Sequence, residues 1–146
     1  MVWAGDEIGL GGTTCGEDSR RPMPWHDTSS WNHDLHAWYK TLIALRRSSD
    51  ALARGSLRFI HVDADAVVYI RETESEQLLC LAARAPHTAI KFSKSALGCD
   101  TLTTLIGSEA QVDDTHVTLV GETAGFHVWK INQSAVTPTI KGISHV

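Results

Sequence analysis

The feature that most constrains this chain is a change of hydrophobic period at Gly55. Before that glycine, the strongly patterned stretch repeats apolar residues at helical spacing. Beyond it, short β-rich runs alternate with a period of two and are separated by polar breaks. The runs Leu57–Val62, Ala66–Arg71, Gln77–Arg84, Thr88–Phe92, Asp100–Ile106, His116–Val120 and Phe126–Ile131 predict about seven strands in roughly 75 residues, the spacing of an antiparallel sandwich or barrel. No connection between them has room for a crossover helix, which excludes a parallel sheet. The expected fold is therefore mainly β with an N-terminal helix. One boundary is drawn, near Gly55–Ser56, separating residues 1–55 from 56–131, with a loose aperiodic tail over 132–146 that holds Pro138 and Gly142.

The helix should begin after Asn32, whose side chain suits an N-cap, with Asp34 in the first turn where a carboxylate complements the helix dipole. Leu35, Trp38, Tyr39, Leu42, Ile43 and Leu45 then form its apolar stripe, and Arg46 and Arg47 lie towards the end that favours cations. Asp50 can cap a further turn, Ala51–Arg54, which Gly55 is expected to end, being free to adopt a positive φ. Ahead of the helix, residues 1–31 are rich in Gly, Pro, Asp, Ser and Thr and carry Trp3, Trp25 and Trp31. A loop of that length is usually a functional one.

Composition narrows the function classes. With 13 Lys plus Arg against 17 Asp plus Glu, a net charge of -4 and scattered basic residues, the chain offers no footprint for a nucleic-acid backbone. No apolar run approaches the ~20 residues needed to span a bilayer, so no membrane partner is expected. Met1-Val2-Trp3-Ala4-Gly5-Asp6 has no basic lead and meets an acid pair at once, which argues against a signal peptide. Cys15, Cys80 and Cys99 are odd in number and widely spaced, and are expected to be reduced thiols.

Several chemistries can be looked for directly. The G-x-S-x-G elbow, the P-loop, a G-x-G-x-x-G after a strand and a C-x-x-C pair are all absent. Gly9-Leu10-Gly11-Gly12 reads as a plain turn. His33 and His36, with His26, Asp27 and Asp34 nearby, lack a defined third ligand and read as a solvated face, so neither metal nor cofactor is expected. Asp6-Glu7 and Glu17-Asp18 are adjacent carboxylates that would point to opposite sides of an extended segment and so do not form a hydrolytic couple. The run from Glu17 to Trp25 is different. Guanidinium groups beside carboxylates and an indole face supply the bidentate hydrogen bonds and the flat apolar platform that a sugar requires, with a charge-paired turn as the plainer alternative.

Three segments carry a family resemblance. Trp3-Ala4-Gly5-Asp6-Glu7-Ile8-Gly9-Leu10, Arg20-Arg21-Pro22-Met23-Pro24-Trp25 and Leu35-His36-Ala37-Trp38-Tyr39-Lys40-Thr41-Leu42-Ile43-Ala44-Leu45-Arg46 resemble, in order and spacing, the C-terminal part of α-amylase superfamily enzymes, glycoside hydrolase family 13. Within that family the likeness is to neopullulanases, cyclomaltodextrinases and related α-glucosidases. There, a G-D-E-(I/L)-G motif closes the eighth barrel strand, R-x-P-M-x-W lies in the loop after it, and the third segment is the eighth barrel helix. An antiparallel Greek-key domain C follows. Trp3-Ala4 stands where Tyr residues are usual and Pro24 where Ile or Gln is common, which leaves linkage specificity open.

The resemblance implies that residues 1–55 are the last βα unit of a (β/α)8 barrel and 56–131 a Greek-key β-sandwich. It implies α-glucosidic bonds of maltodextrins or related α-glucans as the substrate of the intact enzyme. The family's three catalytic carboxylates belong to earlier strands, so no catalytic residue is assigned to this chain, which taken alone is expected to be inactive and structural. Arg20 is implied to lie near the non-reducing-end sugar, with Asp18 orienting it, and Asp6 and Glu7 to support the loop. The implied partners are a maltooligosaccharide and the N-terminal barrel portion. A homo-oligomer through the barrel-facing surface is also expected, because an uncovered helix stripe drives association. The subgroup's habit, with the thiols, points to the cytoplasm. The competing reading is a non-catalytic carbohydrate-binding or interaction β-sandwich module, disfavoured because Trp129, Tyr69, Phe59, Phe92 and Phe126 sit in β-runs as core residues would.

Overall fold

The computed structural model describes residues 2–12 and 21–133, and the chain divides into two compact units, Met1–Ser49 and Asp50–Val146. Where the end of a barrel strand was expected, residues 2–12 contain no strand, and Asp6–Ile8 forms a 3-10 turn. A lone extended segment has no neighbouring strand to take its polar backbone groups, so local bonds take them instead. Asp6 N–H donates to the Trp3 carbonyl at 3.1 Å and Leu10 N–H to that of Gly5 at 2.9 Å.

The first unit is organised by α1, His33–Ser48. The Asn32 side chain caps it by accepting from Leu35 N–H at 2.9 Å, as its position predicts, and Asp34 and the Arg46–Arg47 pair complement the two ends of the dipole. No residue of α1 is buried. Leu35, Tyr39, Leu42 and Leu45 are half-buried, and Trp38 and Ile43 are exposed.

Among the described residues of the second unit, α2 (Asp50–Arg54) leads into eight strands: β1 Ser56–Val62, β2 Ala66–Glu72, β3 Gln77–Ala83, β4 His87–Ser93, β5 Thr101–Ile106, β6 Gln111–Val112, β7 His116–Gly121 and β8 Gly125–Asn132. The short helix α3, Lys94–Leu97, fills a stretch that the period left blank. Every pairing is antiparallel. One sheet has the order β1-β2-β3-β8-β5 and the other β4-β7-β6.

Alternation explains the core. Ala66, Val68 and Ile70 of β2, Leu79 and Leu81 of β3, and Trp129 and Ile131 of β8 share a buried cluster with Ile90 of β4 and Val117 and Leu119 of β7, so both sheets contribute to it. The opposite face of the longer sheet also carries apolar residues, of which Leu78, Cys80 and Val128 are fully buried. This unit begins at α2, one short helix ahead of Gly55, because Ala51 is fully buried and its N–H donates to a Glu76 carboxylate oxygen at 2.9 Å.

Two details depart from expectation. Gly55 does not adopt a positive φ; it is required by close approach, since a Cβ there would lie 2.5 Å from the Ala51 carbonyl oxygen and 2.6 Å from that of Glu72. Phe59, expected in the core, is 57% exposed, because β1 is the edge strand and the residue faces away from the cluster, edge-on to Tyr69. Among the described residues, no helix is long and apolar enough to cross a membrane.

Candidate functional site

The segment Gly5–Leu10 is a closed turn built from its own sequence. Gly5 (φ 99°) and Gly9 (φ 67°) flank the 3-10 turn in the left-handed region, where a side chain would be strained. A Cβ on Gly5 would also fall 2.8 Å from the Leu10 side chain. Between the glycines, the Asp6 carboxylate accepts from Trp3 N–H and that of Glu7 from Gly5 N–H, both at 2.9 Å. These two acids are therefore in a tight turn, where each binds a backbone donor, and not in an extended segment. Ile8 is buried, and its carbonyl accepts from Asn32 N–H at 3.0 Å, which ties the turn to the start of α1. An open groove of about 540 Å³ is lined by Trp3, Asp6, Leu10 and Arg21 with the backbone of the intervening glycines.

An aromatic array lies in the segment before α1. Trp25 is 70% exposed, and its ring meets Trp31 edge-to-face at 5.8 Å between centroids and 67° between planes. Trp31 in turn meets His36 at 5.6 Å and 87°. The indole Nε1–H of Trp31 donates to the Pro24 carbonyl at 3.4 Å, and Trp31 N–H to that of Thr28 at 3.3 Å. With Asn32 as N-cap, Trp31 occupies the position before the cap and His36 the fourth helical position, the pair that closes a hydrophobic staple. Sequence reasoning placed His36 on a solvated face and gave Trp31 no partner. The staple spacing was the available signal.

Of the residues expected to touch substrate, Arg20 and Asp18 lie outside the described residues, as does Cys15. Asp6 and Glu7 are brought together by the turn. Among the described residues, no group of three or more His, Cys, Asp or Glu side chains is placed to hold a metal ion. Cys80 and Cys99 are free and buried, and burial pushes the Cys80 thiol up to about 12, far from a nucleophile's range. Beside the open groove the first unit presents the Trp3 indole, the Arg21 guanidinium and the Asp6 carboxylate, groups whose chemistry suits binding.

No protein-family model matches the chain. It is 42% identical over 69 residues to neopullulanase 2 of Thermoactinomyces vulgaris, a match covering 47% of this chain and 12% of that protein. It is 33% identical over 93 residues to a cyclomaltodextrinase of Bacillus sp, covering 60% and 16%. The chain thus spans well under a fifth of the length of these curated relatives. Among solved structures, an α-amylase from Geobacillus thermoleovorans complexed with acarbose shares the fold, with a TM-score of 0.71 at 18% identity over 88% of this chain and 28% of that one. By these matches the chain is related to the C-terminal part of alpha-amylase family enzymes.

Proposed function

We propose that this chain is the C-terminal part of an α-glycosidase that hydrolyses α-glucosidic bonds of maltodextrins or related α-glucans. The observation that carries the reading is the 42% identity over 69 residues to a neopullulanase, joined by the weaker likeness to a cyclomaltodextrinase. In this reading the first unit carries the loop after the eighth barrel strand and the eighth helix, α1, and the two sheets of the second unit form a Greek-key sandwich with a structural role. The enzyme is cytoplasmic, in keeping with free Cys80 and Cys99.

The division of labour follows from the chemistry. Hydrolysis of a glycosidic bond needs two carboxyl groups facing each other across it. Asp6 and Glu7 are committed to backbone donors within their own turn, which suits loop support. Arg20 and Asp18 are assigned to the non-reducing-end sugar, where a guanidinium fork can take two hydroxyls and a carboxylate can hold the fork. The catalytic carboxylates come from an N-terminal barrel portion, and α1 offers that portion the stripe of Leu35, Tyr39, Leu42 and Leu45.

The test is hydrolysis of a chromogenic maltoside by the 146-residue chain, alone and with the purified N-terminal barrel portion. The expected result is no turnover alone and turnover on mixing, with Arg20→Ala raising KM in the mixture. Turnover by the short chain alone would overturn the reading.

A further inference from the structure

We infer that Trp31 is a positioning residue that holds the exposed indole of Trp25 as a stacking platform for an α-glucan ring, an inference that rests on the function proposed above. An indole face stacks on the C–H side of a pyranose only if the ring is presented open and held still. Trp25 meets the first condition, being 70% exposed. Its own backbone supplies part of the second: Trp25 N–H donates to the Met23 carbonyl at 2.9 Å and Asp27 N–H to that of Pro24 at 3.1 Å, so the residue sits on a tight turn. The side chain needs a further constraint, and Trp31 provides it.

Trp31 meets Trp25 edge-to-face, and the Trp25 side chain stays 70% exposed beside that contact. Trp31 is itself fixed from three sides. Its Nε1–H reaches back to the Pro24 carbonyl, its N–H is bonded to Thr28, and its ring is closed against His36 on the first turn of α1. The Asn32 cap bond sets where that turn begins. A chain of contacts therefore runs from the start of the helix through His36 and Trp31 to Trp25. Trp31 is half-buried with its polar edge turned inward, and so serves as a support and not as a second platform.

The test is titration of the full 146-residue chain with maltotriose, followed through the indole N–H signals in a two-dimensional NMR spectrum, with urea unfolding midpoints recorded for each variant. In the wild type the Trp25 signal shifts on binding. Trp25→Ala is expected to weaken binding about tenfold, the upper end for one aromatic contact. Trp31→Ala is expected to weaken it about threefold to tenfold, and Trp31→Phe, which keeps a ring edge against Trp25, to recover most of that loss. Phe59→Ala, an exposed aromatic of the second unit outside the array, is expected to bind as the wild type does. Wild-type affinity in Trp31→Ala would overturn the inference. So would equal losses of binding and unfolding midpoint in the Phe and Ala variants, which would make Trp31 merely structural. A wild-type chain that binds no maltotriose would sink the proposed glucan contact together with this inference. Binding unaffected by Trp25→Ala would sink this inference alone.

Discussion

The two units reach order by different means. Among the described residues, Ile8 is the only buried apolar side chain of the first unit, which is otherwise held by turn bonds, a helix cap and ring edges. The second closes two antiparallel sheets over a shared cluster that includes fully buried Val68, Ile70, Leu79 and Val117. Burial of apolar area is the larger stabilising force, at about 1.5–3 kcal/mol for each fully buried large side chain, whereas single caps and ring edges contribute about 1 kcal/mol each. The unit richer in exposed indole and charge beside a groove is therefore the one with less core. Exposed aromatic surface and core draw on the same residue types.

Core truncation should separate the units most sharply. Leu79→Ala or Leu119→Ala is expected to cost about 2–5 kcal/mol in urea unfolding of the second unit, whereas Leu42→Ala on α1 should cost no more than about 1.5 kcal/mol. Equal losses would erase the contrast. Gly55→Ala comes next: its Cβ would press on two carbonyl oxygens, and a cost of about 1–3 kcal/mol is expected in the same measurement. Asn32→Ala should cost about 1 kcal/mol, seen as reduced helical circular dichroism at 222 nm with the β unit's melting unchanged.

The smallest effect is a pH dependence confined to the second unit. His127 stacks on Trp129, and its Nδ1 accepts from Ser108 N–H at 2.9 Å. Burial, and then the nearby charge of His87, hold its pKa below the usual 6.5. The unfolded chain therefore binds a proton more readily, so this stabilising contribution is complete above about pH 6.5 and is lost as pH falls towards the lowered folded value. The melting temperature should drop over that window, and His127→Gln should flatten the drop.

Much of this fold was legible in the sequence because alternation and burial coincide. Ala66, Val68 and Ile70 against Val67, Tyr69 and Arg71 announce β2 and its core side, and Asn32 with Asp34 announces α1. The rest depended on information that no local pattern holds. β6 is two residues long and exists only because Gln111 and Val112 meet Thr118 and Val117. Phe59 has the residue type and spacing of a core position, and only its place on the sheet edge decides its exposure. In the first unit the staple between Trp31 and His36 was readable from spacing, but the turn of the Trp25 ring against Trp31 was not, because side-chain direction is set by packing.

The order of strands also sets the tempo of folding. Hairpins β1-β2 and β2-β3 join neighbours in sequence and can close locally in ~1–10 μs. The central pairing of β3 with β8 sets Leu78 against Lys130 and Ala83 against Gly125, so it must wait until all of the chain that forms the second sheet has been gathered into one loop. That closure is the entropic bottleneck, and it places the second unit among slow folders of high contact order. Until it occurs, β3 stands with one edge unpaired and the Leu78-Leu79-Cys80-Leu81 run uncovered, which makes the early hairpins the stage at which chaperone capture or aggregation competes with folding.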